Sequence, residues 1–102
     1  MQHYQRALIT GASRGIGRAF ARRMPGTTDL LLTGRDQRRL DELVERLTRT
    51  GRRVERLAAD LTVREERDRL VEAAEAFEID LLVNNAGGGH LGRFLDSPAD
   101  AE

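Results

Sequence analysis

The chain has 102 residues, enough for one compact domain and too few for a two-domain enzyme. Its 17 basic and 17 acidic side chains cancel to a formal net charge of zero, which removes any overall field that would draw it to nucleic acid or anionic lipid. Cysteine is absent, which excludes disulfides, thiolate nucleophiles and cysteine metal sites, and His3 and His90 each stand without a partner to make a general base or a ligand pair.

Apolar residues come in short runs, none near the length of a membrane span. Met1 to Gln5 has neither the apolar core nor the cleavage site of a signal peptide, so a cytoplasmic chain with no membrane partner is expected. Between the apolar runs lie charged stretches of helical periodicity, the alternation of a parallel sheet with crossover helices. The first strand is expected at Arg6 to Thr10. A helix from about Gly15 to Met24 follows, with Ile16, Ala19, Phe20 and Met24 on one face and Pro25 and Gly26 as its stop. Leu30, Leu31 and Leu32 run into Thr33 and Gly34, which suits a strand covered on both faces.

Asp36 is placed to cap the next helix, where Leu40, Leu43, Val44 and Leu47 recur at helical spacing before a stop at Gly51. A third strand, Val54 to Ala59, ends at Asp60 and Leu61. Thr62 and Glu65 have the capping-box spacing ahead of a helix whose buried face is Leu70, Val71, Ala74 and Phe77. A fourth strand, Ile79 to Val83, leads into NNAGGG. The order β-α-β-α-β-α-β is of α/β class. With right-handed crossovers it predicts a Rossmann-type open parallel sheet of four strands in the order 3-2-1-4, half of a doubly wound fold, with residues 1–102 as a single partial domain.

Residues 10 to 17 read TGASRGIG, placing Gly11, Gly15 and Gly17 in a strand-to-helix turn. Missing side chains there let backbone amides approach a pyrophosphate, and the helix N-terminus faces its negative charge. The spacing is GxxxGxG, different from the GxxxxGK[ST] loop of nucleoside triphosphatases and from GxGxxG. A triphosphate loop also needs a lysine, and every one of the 17 basic residues here is arginine.

TGASRGIG, the Asp60-Leu61 pair after the third strand and NNAG at 84 to 87 together resemble the cofactor half of the short-chain dehydrogenases/reductases. The motifs stand in that family's order and span nearly the whole chain. The resemblance implies that Gly11 to Gly17, with Ser13, Arg14, Gly15 and Ile16 among them, cradle the pyrophosphate of a dinucleotide. It also implies that Asp60 bonds the adenine, that Leu61 packs near it, and that Ala86 and Gly87 lie along a ribose. The asparagines of NNAG tie the fourth strand to the first in that family, and Asn85 counts among the cofactor-binding residues.

A ribose 2′-hydroxyl calls for an acidic acceptor at the end of the second strand, whereas a 2′-phosphate calls for an arginine. Gly34 offers no carboxylate, Arg35 follows it, and Arg14 adds a second cation, so NADP is favoured over NAD. Asp36, one residue further on, is explained by helix capping.

The family's reaction, hydride transfer between a nicotinamide and a carbonyl or alcohol, uses a tyrosine and a lysine four residues later. Here the only tyrosine is Tyr4, its i+4 neighbour is Leu8, and there is no lysine. No catalytic residue is assigned, and the chain alone is not expected to transfer hydride. Ser97 and Pro98 are expected to open a helix within a turn of the last residue, or to belong to a solvated acidic tail, and the missing dyad favours reading the ending as truncation. The fourth strand would then be an exposed apolar edge, predicting a homodimer or pairing with a complementary C-terminal polypeptide. The alternative is a stand-alone nucleotide-binding or scaffold module without catalytic activity. Nucleic acid is not an expected partner, because the arginines are interleaved with acids.

Overall fold

A computed structural model describes residues 4–49 and 51–85. Readings that fall on Ala86, Gly87, His90, Ser97 and Pro98 lie outside the described residues. Seven elements follow in order: β1 (Arg6–Ile9), α1 (Gly15–Arg23), β2 (Asp29–Gly34), α2 (Gln37–Thr48), β3 (Val54–Ala58), α3 (Arg64–Phe77) and β4 (Leu81–Val83). The strands form one parallel sheet in the order β3-β2-β1-β4, as the alternation of elements predicts.

Register makes the core. Leu8 of β1 lies opposite Leu31 of β2 and Leu82 of β4, and its neighbours Ala7 and Ile9 lie opposite Leu30 and Leu32. Because side chains alternate across a strand, these rows face opposite sides. Ala7, Ile9, Leu30 and Leu32 join Ala21 of α1 and Leu40, Leu43 and Leu47 of α2. Leu8 and Leu31 join Leu70, Ala74 and Phe77 of α3 on the other side. Leu30, Leu31 and Leu32 are all buried, as an uninterrupted apolar strand requires. The chain leaves β1 toward β2 on one side and reaches β4 on the other, so β1 is the switch point of the sheet, where a crevice opens at the strands' carboxyl ends.

Three expectations need correction. Ile16 and Phe20 do not sit on a buried face: they are 74% and 43% exposed, and α1 packs through Gly17 and Ala21 instead. Glycine and alanine let the helix lie close to the sheet, which turns the larger side chains outward. Thr62 does not cap α3. The capping position belongs to Val63, with no side-chain cap, while Thr62 donates from its amide (3.0 Å) and hydroxyl (2.7 Å) to Asp60 Oδ1. A local turn competes with a cap for the same hydroxyl, and here the turn wins. The fourth strand also begins later than Ile79, because Glu78 in left-handed geometry (φ 59°) and a bend at Asp80 precede it.

Asp36 caps α2 as expected, its Oδ1 accepting from the Arg39 amide at 3.1 Å. Beyond that helix, Gly51 (φ 88°) donates its amide to the Thr48 carbonyl at 2.9 Å, a conformation that suits glycine. At the sheet end away from the crevice, Arg52 is only 9% exposed. Its Nη1 reaches the carbonyls of Met24 (3.4 Å), Pro25 (2.9 Å) and Thr28 (3.2 Å), tying the α1–β2 connection to the start of β3.

Candidate functional site

The turn between β1 and α1 is held from beneath. Ala12 donates its amide to the Thr33 carbonyl (2.9 Å) and Thr10 donates its amide to the Val83 carbonyl (3.0 Å), so β2 and β4 both clamp it. Gly11 (φ 63°) and Gly15 (φ 61°) have left-handed backbones, which side-chain-bearing residues adopt only at a cost. Gly17 serves a different purpose. A Cβ there would lie 2.7 Å from the Gly11 carbonyl carbon and 2.9 Å from Asn85 Nδ2, so glycine is needed for close contact between helix and turn.

Arg14 precedes α1 in an extended conformation and provides no side-chain cap, and the first turn of α1 carries no acid. The amides of Gly15, Ile16 and Gly17 have no acceptor among the described residues. In α2 Asp36 supplies such an acceptor, and in α3 Glu65 and Glu66 stand in the first turn. Among the described residues α1 is the helix with neither a capping side chain nor an acid in its first turn, so its free amides and the positive end of its dipole stay uncompensated, which is what an anion needs.

These groups open into a cleft of about 1040 Å³. Among the residues expected to meet a ligand, Gly11, Ser13, Arg14, Gly15, Ile16, Arg35, Asp60, Leu61 and Asn85 line it; Gly17 does not. Gly34, Asp36, Gln37, Ala59 and Thr62 line it as well and were not singled out as contacts from sequence. Gln37 has no local signal. Thr62 does have one, its place two residues after Asp60, which is the spacing of an Asx turn.

Asp60 is held in place from several directions. Its amide donates to Glu66 Oε1 at 2.6 Å, and Arg67 Nη1 donates to the Leu61 carbonyl at 3.0 Å, so α3 fixes the turn that carries both residues. The two bonds from Thr62 hold the Asp60 carboxyl below its ordinary range, and Arg35 adds a weaker pull across 3.8 Å. The Arg35 side chain is 77% exposed, so its pairing with Asp60 is loose and contributes little to stability. On the opposite wall the Thr10 hydroxyl donates to Asn84 Oδ1 (3.0 Å) and accepts from the Asn85 amide (2.7 Å), which binds the end of β4 to the glycine turn. Among the described residues no group of three or more acidic or histidine side chains is arranged to hold a metal ion, and no helix is long and apolar enough to cross a membrane.

An open parallel α/β sheet with a glycine turn and bare helix amides at its switch point defines a class of nucleotide-cleft proteins. Comparison narrows it. The family model described as short chain dehydrogenase matches residues 5–101. Sulfoacetaldehyde reductase 2 of Chromohalobacter salexigens is 47% identical over 85 residues, which is 78% of this chain and 32% of that protein. Among solved structures, L-sorbose reductase of Gluconobacter frateurii, determined with NADPH and L-sorbose, superposes with a TM-score of 0.75 at 36% identity over 84% of this chain and 34% of its own. A metagenomic short-chain oxidoreductase in complex with NADP gives a TM-score of 0.73 at 36% identity, covering 82% and 39%.

The chain belongs to the short-chain dehydrogenase/reductase family of oxidoreductases. It spans about a third of the length of the curated relatives it matches.

Proposed function

We propose that this chain binds NADP(H) in the cleft at the carboxyl ends of β1 and β2, as the cofactor-holding part of a short-chain dehydrogenase/reductase. The observation that carries the reading is the meeting of the bare α1 amides and Arg35 in one cleft, two anion-seeking groups with Asp60 between sheet and solvent. The amides of the glycine turn would receive the pyrophosphate. Asp60, kept ionised by Thr62, would accept from the adenine amino group, with Leu61 packed beside the ring. Asn85 would stand on the side of β4. Ala86 and Gly87, outside the described residues, keep the ribose role that the family resemblance assigns them.

Arg35 would select the phosphorylated coenzyme. Its ion pair with Asp60 is long and solvent-exposed, whereas a 2′-phosphate offers a guanidinium two short, charge-assisted hydrogen bonds. Arg14, also on the cleft, would add a second cation. Related proteins solved with NADPH or NADP support this preference.

The nicotinamide supplies the hydride in this family; the residues of this chain bind and orient. Its composition contains no lysine, so the tyrosine–lysine pair is not formed by these 102 residues, and hydride transfer is proposed to need partner residues. Reductase activity appearing on addition of a second polypeptide would favour this reading over a module that only binds nucleotide.

Fluorescence titration of the purified chain with NADPH and NADH tests the proposal. Arg35→Ala is expected to weaken NADPH at least about tenfold, the worth of one charge-assisted hydrogen bond, while leaving NADH nearly unchanged. A folded chain that ignores both coenzymes at low salt, or that prefers NADH, would overturn it.

A further inference from the structure

α1 is held to the sheet by little apolar surface. The residues it buries are Gly17 and Ala21, which offer one methyl group between them, with Met24 partly buried beyond its end. By contrast, α2 buries Leu40, Leu43 and Leu47, and α3 buries Leu70, Ala74 and Phe77. At its N-terminal end α1 is fixed by the close approach of Gly17 to Gly11. Its other end is met by Arg52. Nη1 of that buried side chain lies 3.4 Å from the carbonyl of Met24, the residue that ends the helix, and 2.9 Å and 3.2 Å from those of Pro25 and Thr28. Carbonyls at a helix C-terminus have no partner within the helix, and a cation among them also faces the negative end of the dipole. Arg22 and Arg23, the basic residues of the last turn of α1, are exposed, so the cation comes from a residue distant in sequence. Arg52 stands on a fixed base, because the adjacent Arg53 donates its amide to Asp29 Oδ1 (3.0 Å) and accepts at its carbonyl from the Leu30 amide (2.9 Å). A buried guanidinium is a costly way to gain stability, and Nε here is buried with no hydrogen-bond partner among the described residues, so what the arginine supplies is geometry.

We infer that Arg52 is a positioning residue for the glycine-turn amides: it clamps the C-terminal end of α1 to the joined starts of β2 and β3, and so sets the direction in which the free amides at the opposite end point. This rests on the reading of those amides as the anion seat of a dinucleotide cleft. The helix has nine residues and is roughly 13 Å long, short enough to move as one rod. Without the clamp it pivots about the Gly17 contact, and the amides of Gly15, Ile16 and Gly17 turn with it. Arg52 touches no coenzyme and acts through α1 alone.

The experiment compares the 102-residue chain with Arg52→Lys, Arg52→Met and Arg52→Ala by amide hydrogen exchange, thermal unfolding and NADPH titration. Arg52→Ala is also measured in millimolar guanidinium chloride, far below denaturing concentrations, with sodium chloride as the control. Arg52→Met is expected to speed exchange in α1 at least about tenfold while α2 and α3 keep their protection, and to weaken NADPH about three- to tenfold, the range of a remote positioning effect. Arg52→Lys, which keeps the charge and loses the fork, is expected to show a smaller loss confined to α1. Guanidinium is expected to restore both α1 protection and NADPH affinity to Arg52→Ala, and sodium to restore neither. Unchanged α1 protection in Arg52→Met would overturn the clamp, as would an equal loss of protection in all three helices or a failure of guanidinium to restore α1. Should Arg52→Met not fold, Arg52→Lys carries the same comparison, a loss confined to α1 supporting the clamp and a uniform loss overturning it. If α1 loosens and NADPH affinity does not change, the claim that the clamp aims the amides falls. If α1 loosens and the unaltered chain binds no NADPH, the dinucleotide reading falls and only the clamp stands.

Discussion

Individual residues in this protein act through the backbone as much as through their side chains. Gly11 and Gly15 were legible in the sequence because a turn that must bend into left-handed geometry leaves a local mark. Gly17 was legible as part of the same motif, but its reason was not: it abuts Gly11 and Asn85, which only the folded chain brings together. Gly17→Ala is therefore expected to destabilise by about 1–3 kcal/mol in urea unfolding, because overpacking against a fixed carbonyl outweighs the better helix propensity of alanine. Asp80 is a second case. Its carboxylate accepts from the amides of Gln5 (2.9 Å) and Arg6 (2.8 Å), and these bonds hold it below its ordinary value of 3.8. A depressed carboxyl contributes stability that is complete above the unfolded value and is lost as pH falls through the folded one. Replacing it by Asp80→Asn should lower stability near pH 7 and have a shrinking effect below about pH 4, measured as the difference between urea midpoints.

At the scale of elements, periodicity carried most of the information. Leu40, Leu43 and Leu47 were readable as a buried stripe because a helix repeats every 3.6 residues whatever it packs against. The same reasoning misplaced Ile16 and Phe20, since α1 approaches the sheet through its smallest residues, and an apolar side chain on a helix does not reveal which side the sheet occupies. The end of α3 was not legible at all. Glu78 adopts φ 59° with no glycine to announce it, and its carbonyl accepts from Arg6 Nε at 2.8 Å, joining the helix end to β1. Glu78→Gly is expected to raise stability by about 0.5–1 kcal/mol, the left-handed strain removed less the extra chain entropy of glycine, in thermal or urea unfolding. Because the bond to Arg6 comes from the backbone carbonyl, the substitution leaves it in place.

At the scale of the molecule, β3 and β4 are the outer strands of the sheet among the described residues. β3 carries the charged Glu55 and Arg56, the latter paired with Asp41, which blunts that edge against further pairing. β4 is three apolar residues, Leu81 to Val83, and among the described residues it pairs with β1 alone. An apolar edge that no described residue pairs with predicts association: sedimentation velocity over a concentration series should show self-association of the isolated chain, and a monomer unchanged throughout would count against it. From the residue order follow the succession of elements, the parallel class, the strand order and the glycine turn. These rest on periodicity, on the handedness of crossovers and on backbone geometry, all of which are local or universal. Tertiary structure decided what residues distant in the chain do to one another: that Arg35 meets Asp60 across the cleft, that Gly17 abuts Asn85, and that α3 reaches back through Glu66 to hold Asp60. Distances of that kind are set by how closely each helix settles on the sheet, and packing of that sort is a property of the assembled core that no single stretch of sequence contains.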